Sequence, residues 1–196
     1  MKFLKKYWPH ILLVIYIPVF AYLAIDPYSR ATWWAENVPV LFIVLGLALT
    51  ISKFRFSNLA YSAMAFWIFW HTVGGYYTFE RVPFDFVNDL FGFERNMFDR
   101  FGHFMIGFFA LPIAELVTRK KLITNKVMVI LFSLFAIVTL AAFYELFEWQ
   151  YAVLFGGENA SDFLGSQGDI WDAQKDMLCD TLGAVSVLGL FFLRKK

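Results

Sequence analysis

One cysteine in 196 residues, Cys179, excludes an intrachain disulfide and any thiolate-rich metal site. Excess charge is missing as well: 17 Lys and Arg against 16 Asp and Glu leave a formal +1, no footprint for nucleic acid. No His-Glu-x-x-His metal motif occurs. Ser161 and Ser166 lack a nucleophile-elbow context, which argues against a serine hydrolase. Gly74-Gly75 and Gly156-Gly157 lack the strand–turn–helix setting of phosphate loops. There is no internal repeat or low-complexity tract. Lys2, Lys5 and Lys6 precede an apolar run, Tyr7–Ile25, without a small-x-small cleavage site, so that run reads as an uncleaved span.

What is present in quantity is apolar and aromatic surface. The chain is 60% hydrophobic and 21% aromatic, with 25 Phe, far too apolar for a soluble domain. The expectation is a single all-α, polytopic membrane bundle of about six transmembrane helices, over residues 7–25, 38–52, 59–79, 101–117, 127–144 and 177–193. The short runs extend into flanking aromatic or polar residues, and Trp33 and Trp34 suit an interfacial belt.

Basic residues orient it. Twelve of the seventeen Lys and Arg fall at the two ends of the chain and in alternate connections, around Lys53–Arg55 and Arg119–Lys126. The other connections hold Arg30, Arg81, Arg95, Arg100 and Lys175, so both termini are expected in the cytoplasm of a bacterial inner membrane. Of the acids, only Glu115 lies away from the three outer connections. Glu80–Phe98 alternates acids with Phe and Leu and reads as an interfacial segment. The polar, Gly-rich Tyr151–Gly168 is suited to cover a site.

Polar residues then sort by depth. Asp169, Asp172, Asp176, Asp180 and Gly183 fall within about 80° of arc on one helix face, with Ser166 as a helix-start signature. The stripe lacks the Gly and Glu placement of an EF-hand. Its outer members, Asp169 and Asp172, read as a rim; Asp180 lies inside the apolar run, where an ionisable group is a functional candidate. His71 sits in the outer half of span three. Asp99 and His103 share a face of span four, Glu145 and Glu148 a face of span five. Bland roles compete with these. Asp99 suits a helix N-cap, Asp172 and Asp176 suit a helix N-terminus, and lone histidines often pack. Glu145 and Glu148 resist that reading, because a helix C-terminus disfavours negative charge by about 0.3–1 kcal/mol each.

Crowded carboxylates near lipid must be neutralised. Arg81, Arg95, Arg100 or Lys175 can pair with them, some carboxyls can keep their protons, or a divalent cation can sit among His103, Glu145, Glu148, Asp176 and Asp180. Cys179 points about 100° from Asp180 and suits a structural thiol.

The order Asp99-Arg-Phe-Gly-His103, Tyr144-Glu145-Leu-Phe-Glu148-Trp-Gln, Asp172-x-x-x-Asp176-x-x-x-Asp180-Thr-Leu-Gly183, with His71 and Gly74-Gly75, resembles the YjdF-like bacterial inner-membrane family, whose biochemical function is not established. More distantly, the second half is similar to VanZ-like proteins, named for a teicoplanin-resistance membrane protein. Against their pattern, Arg100 stands for a Lys, Glu148 for a Gln and Asp180 for an Asn, which makes this site more acidic.

Three function classes fit. The first is a membrane enzyme, metal-assisted or acid/base, acting at the outer leaflet on a lipid or envelope precursor. His103 or His71 would be base or ligand, and Asp99, Glu145, Glu148, Asp176 and Asp180 acid/base groups or ligands. The second is a non-enzymatic binder or transporter of a cation, proton or small ligand. The third is an envelope assembly partner.

Overall fold

In hydrocarbon, a chain this apolar must satisfy its backbone polar groups internally, and helices do so. The computed structural model describes residues 2–156 and 166–193. Half of the expected cover over the site, Tyr151–Gly168, therefore lies outside the described residues. The long helices are α1 (Lys2–Leu23), α2 (Arg30–Thr50), α3 (Asn58–Tyr77), α7 (Lys126–Tyr151) and α8 (Asp172–Leu193). Between them lie the short α4 (Asp85–Phe91), then α5 (Phe98–Ile106) and α6 (Ala110–Arg119), joined by the 3₁₀ turn Gly107–Phe109. Pro112 has no N–H for the Phe108 carbonyl, which accounts for the tightened turn there.

Five of these are long and apolar enough to cross a membrane: α1, α2, the continuous 98–119 segment, α7 with its extension to Phe155, and α8. The chain is a polytopic helical membrane protein. The expected third span coincides with α3, whose 20 residues suffice in length but whose Trp, Tyr, His and Gly keep its hydropathy low. Nine of those residues are buried, among them Trp67, His71 and Gly75. A helix surrounded by other helices does not have to present an apolar face to lipid, and α3 is the interior member.

Helix starts differ from the sequence expectation where a cap intervenes. Ser29 accepts the Thr32 N–H and starts α2 eight residues before the expected 38, which places Glu36 and Asn37 inside a span. The acidic stripe is shorter as a helix than expected. Asp169 stays in the preceding turn, where Oδ1 accepts the Trp171 N–H, and α8 begins at Asp172. At the opposite end of the bundle, the Glu115 carboxylate accepts the Ser57 N–H at 2.8 Å and ties the start of α3 to α6.

Packing radiates from α3. Tyr16 on α1 hydrogen-bonds Thr72 at 3.0 Å, and the Trp70 ring stacks on Phe98 at 4.2 Å while its N–H donates to the Phe98 carbonyl. A Cβ on Gly75 would run into Asn37 and Glu36, so this glycine lets α2 press directly on α3. A second core of Leu111, Ala114, Val129, Ile137, Ala184 and Leu188 binds α6, α7 and α8. On α4, Phe86, Leu90 and Phe91 stay exposed. The segment after it is held by Asn96, whose side chain donates to the Glu80 and Val82 carbonyls and whose backbone exchanges two hydrogen bonds with the Gln167 amide.

Candidate functional site

Two glycines bring the site together. A Cβ on Gly183 would collide with the Phe104 carbonyl, and one on Gly107 would collide with the α8 backbone at Asp180 and Ala184. α5 and α8 therefore touch backbone to backbone, as small residues permit between membrane helices. His103 lies one turn before Gly107 and Asp180 three residues before Gly183, so this crossing presents the two side chains to each other. Their register follows from the glycines.

The aspartates above the crossing form a paired group. Arg100, buried, bridges Asp172 and Asp176 with guanidinium nitrogens 2.5 Å from an oxygen of each, and donates to the Asp172 carbonyl at 2.8 Å. Arg95 adds a second contact to Asp172, also at 2.5 Å. Lys175 reaches Asp169 at 2.6 Å. That hydrogen bond, helped by the Trp171 N–H, holds the Asp169 carboxyl below the usual carboxylate range. The pairing explains how Asp172 and Asp176 tolerate burial.

Below it the balance changes. His103 Nδ1 sits 3.2 Å from Asp180 Oδ1, and Asp180 is 1% exposed. The opposite nitrogen, Nε2, faces three carboxylates: Asp99 at 3.7 Å, Asp176 at 3.9 Å and Glu145 at 4.0 Å. Those distances are too long for hydrogen bonds and leave room for a shared guest. Glu145 Oε1 is buried without a hydrogen-bond partner, whereas Asp176 Oδ1 faces the Arg100 guanidinium at 2.5 Å. The ligand atoms of Asp99, His103 and Asp176 lie within 4.8 Å of one another.

A second polar group faces the first from α2, α3 and α7. His71 Nε2 lies 3.2 Å from both the Glu36 carboxylate and the Glu36 carbonyl, and the Tyr144 hydroxyl donates to Glu36 at 2.7 Å. Glu36 is 1% exposed. Between the groups lies a cavity of about 380 Å³, with His71, Asp99, His103, Glu148 and Asp180 at its polar end and Trp67, Ile106, Phe109 and Ile137 among its apolar walls.

The family described as "Predicted membrane protein (DUF2238)" matches residues 8–196. The chain belongs to this family. It is 36% identical over 172 residues to "Inner membrane protein YjdF" of Escherichia coli (strain K12), covering 87% of this chain and 82% of that protein. It is a multi-pass protein of the inner membrane. No solved structure matches significantly.

Of the residues singled out from sequence, Asp99, His103, Glu145, Asp176 and Asp180 meet in one cluster. Glu148 lines the cavity beside them, and His71 belongs to the second group. Arg95, Arg100 and Lys175, weighed as neutralising partners, pair with the upper aspartates. Arg81 pairs with Glu80 at 3.5 Å. Two members of the site, Glu36 and Tyr144, are not evident from the sequence pattern. A second span starting at residue 38 leaves Glu36 in the preceding connection, and the signal that moves it into a helix is the Ser29 cap. Tyr144 carries no charge to mark it, although it sits one residue before Glu145.

Among the described residues, eight carboxylates gather here: Glu36, Asp99, Glu145, Glu148, Asp169, Asp172, Asp176 and Asp180. They face three permanent cations and two imidazoles. Even with both imidazoles charged, ionised carboxylates exceed the cations by three. Protons or a cation must supply the difference.

Proposed function

We propose that the lower cluster is a divalent-cation centre of a membrane enzyme that acts on a phosphorylated lipid or lipid-linked envelope precursor at the outer leaflet. His103 Nε2, Asp99, Asp176 and Glu145 are its ligands. What carries the reading is the division of labour on one imidazole. Asp180 holds Nδ1, which leaves Nε2 directed at three carboxylates, of which Glu145 buries an oxygen with no hydrogen-bond donor. A carboxylate behind a ligating histidine fixes its tautomer and raises its basicity. Imidazole with carboxylates suits zinc, manganese or iron, and the excess of acid favours any divalent ion.

The ion would act as a Lewis acid on a phosphoryl oxygen, and it is also what lets an anionic substrate approach so acidic a surface. Glu148 and the Glu36–His71–Tyr144 group, across the cavity, are the residues left to move a proton. The outer-leaflet placement rests on the twelve-to-five distribution of basic residues.

Elemental analysis of detergent-purified protein tests the centre. About one divalent ion per chain is expected in wild type, none in His103→Ala and substoichiometric amounts in Glu145→Gln. Wild type without bound ion, both as purified and after equilibration with zinc, manganese, iron(II) and magnesium, overturns it. A reporter fused after Lys196 is expected to read cytoplasmic.

A further inference from the structure

The cavity has two chemically different ends, and a metal centre uses only one of them. Its polar end carries His103 and Asp180; its deeper part is walled by Pro39 and Ile43 from α2, Trp67 from α3, Phe109 after α5, and Ile137 and Leu140 from α7. Water is no suitable filling there, since an ordered water needs two to four polar partners and these walls offer none. At about 380 Å³ the space lies in the range of ligand pockets, about 300–1,000 Å³.

Its position decides what fills it. α2 and α7 each cross the membrane, and both contribute wall residues that are not enclosed: Leu140 is 59% exposed, and Pro39 and Ile43 are half-buried. The cavity therefore reaches the lipid-facing surface between these two helices. Above that gap, the Tyr144 hydroxyl donates to Glu36 and ties α7 to α2 between the apolar part and the end rich in carboxylates.

We infer that the gap between α2 and α7 is a lateral entrance for one acyl chain of an anionic bilayer phospholipid, which lies in the apolar cavity while its phosphate reaches the His103 cluster. This rests on the preceding reading for the headgroup, but the chain pocket stands on the walls alone. Tyr144–Glu36 then acts as a bar beneath which the chain passes and against which the headgroup stops.

The test uses the full chain in nanodiscs of phosphatidylglycerol doped with a phosphatidylglycerol carrying a diazirine on its acyl chain. Irradiation is expected to label Ile43 and Ile137. Labelling confined to outward residues such as Phe42 and Leu45, which are 70% and 53% exposed, overturns the proposal. In parallel, Ile43→Trp and Ala141→Trp narrow the cavity from opposite walls. Each is expected to lower the phosphatidylglycerol retained through purification at least about fivefold, with metal content unchanged. Retention unchanged in both variants overturns the pocket. Labelling of the cavity walls in a wild type that binds no ion sustains the pocket and removes the metal centre, so the two ideas fail separately. Equal labelling by a diazirine-bearing phosphatidylcholine overturns the anionic headgroup.

Discussion

Two acidic groups meet the outer half of α8 within one or two helical turns of each other, and they are built on opposite terms. In the upper one Asp169, Asp172 and part of Asp176 are met by Arg95, Arg100 and Lys175 at 2.5–3.7 Å. In the lower one Asp99, Glu145 and Asp180, with the same Asp176 oxygen that Arg100 meets, share a single imidazole at 3.2–4.0 Å. The upper group is closed: its charges are paired, and its work is to hold the 95–100 segment to the start of α8. The lower group is open, because its charges are assembled without enough permanent cation to balance them. Residue type alone does not separate a paired acidic group from an open one. Whether the partners are permanent cations does.

The largest effect is expected from Arg100→Met. It leaves Asp172 and Asp176 buried without their bridging guanidinium, and breaking a buried pair from one side costs about 3–5 kcal/mol. Thermal unfolding in detergent reads this as loss of folded protein or a large fall in Tm. If the variant is as stable as wild type, the upper group is not the structural one. Next comes Gly183→Ala, which forces α8 off the Phe104 carbonyl and disturbs both groups together. Overpacking costs about 1–3 kcal/mol, and backbone against backbone belongs at the upper end. A stable variant that still binds metal would show that the glycine crossing does not set the register of His103 and Asp180.

Asp180→Asn addresses the lower group alone. It keeps the shape at Nδ1 but removes the charge, and a change of this kind behind a ligating histidine costs about 10–100-fold in metal affinity. Competition with a chelator measures it. Unchanged affinity would place Asp180 outside the centre's support. The smallest effect is expected from Lys175→Ala, at the exposed edge of the upper group. Lys175 lowers the Asp169 carboxyl in the folded chain, so its contribution is present above the ordinary aspartate range, about pH 3.9, and is lost as pH falls through the lowered folded value. Wild type and variant should differ slightly at neutral pH, less in high salt, and converge in acid, as a pH series of melting temperatures would record.

Much of this was legible in the residues. The 3.6-residue period puts Asp176, Asp180 and Gly183 on one face and Asp99 with His103 on another, whatever the tertiary arrangement. The pairing of those faces was not legible, because it depends on which helices approach closely, and that follows from two glycines meeting across α5 and α8. The allocation of the arginines was hidden for a similar reason. Long side chains reach several carboxylates, and only their final positions separate paired acids from unpaired ones. Glu36 escaped because local hydropathy begins span two at residue 38, whereas the Ser29 cap begins the helix at Arg30.

By itself, then, the sequence determined a helical, multi-pass membrane protein. Sixty per cent hydrophobic residues in long runs leave the backbone no other way to satisfy its polar groups in lipid. It also determined which residues share a helix face, since that is a property of the backbone period. The tertiary structure decided which face meets which. It closed one set of carboxylates with Arg95, Arg100 and Lys175, left another around His103 Nε2, and set both beside an apolar cavity. Helices seated in lipid gain little from burying apolar surface against one another, so close contacts of small residues and the satisfaction of polar groups choose the partners. Those are pairwise facts of three dimensions, and no single stretch of the chain contains them.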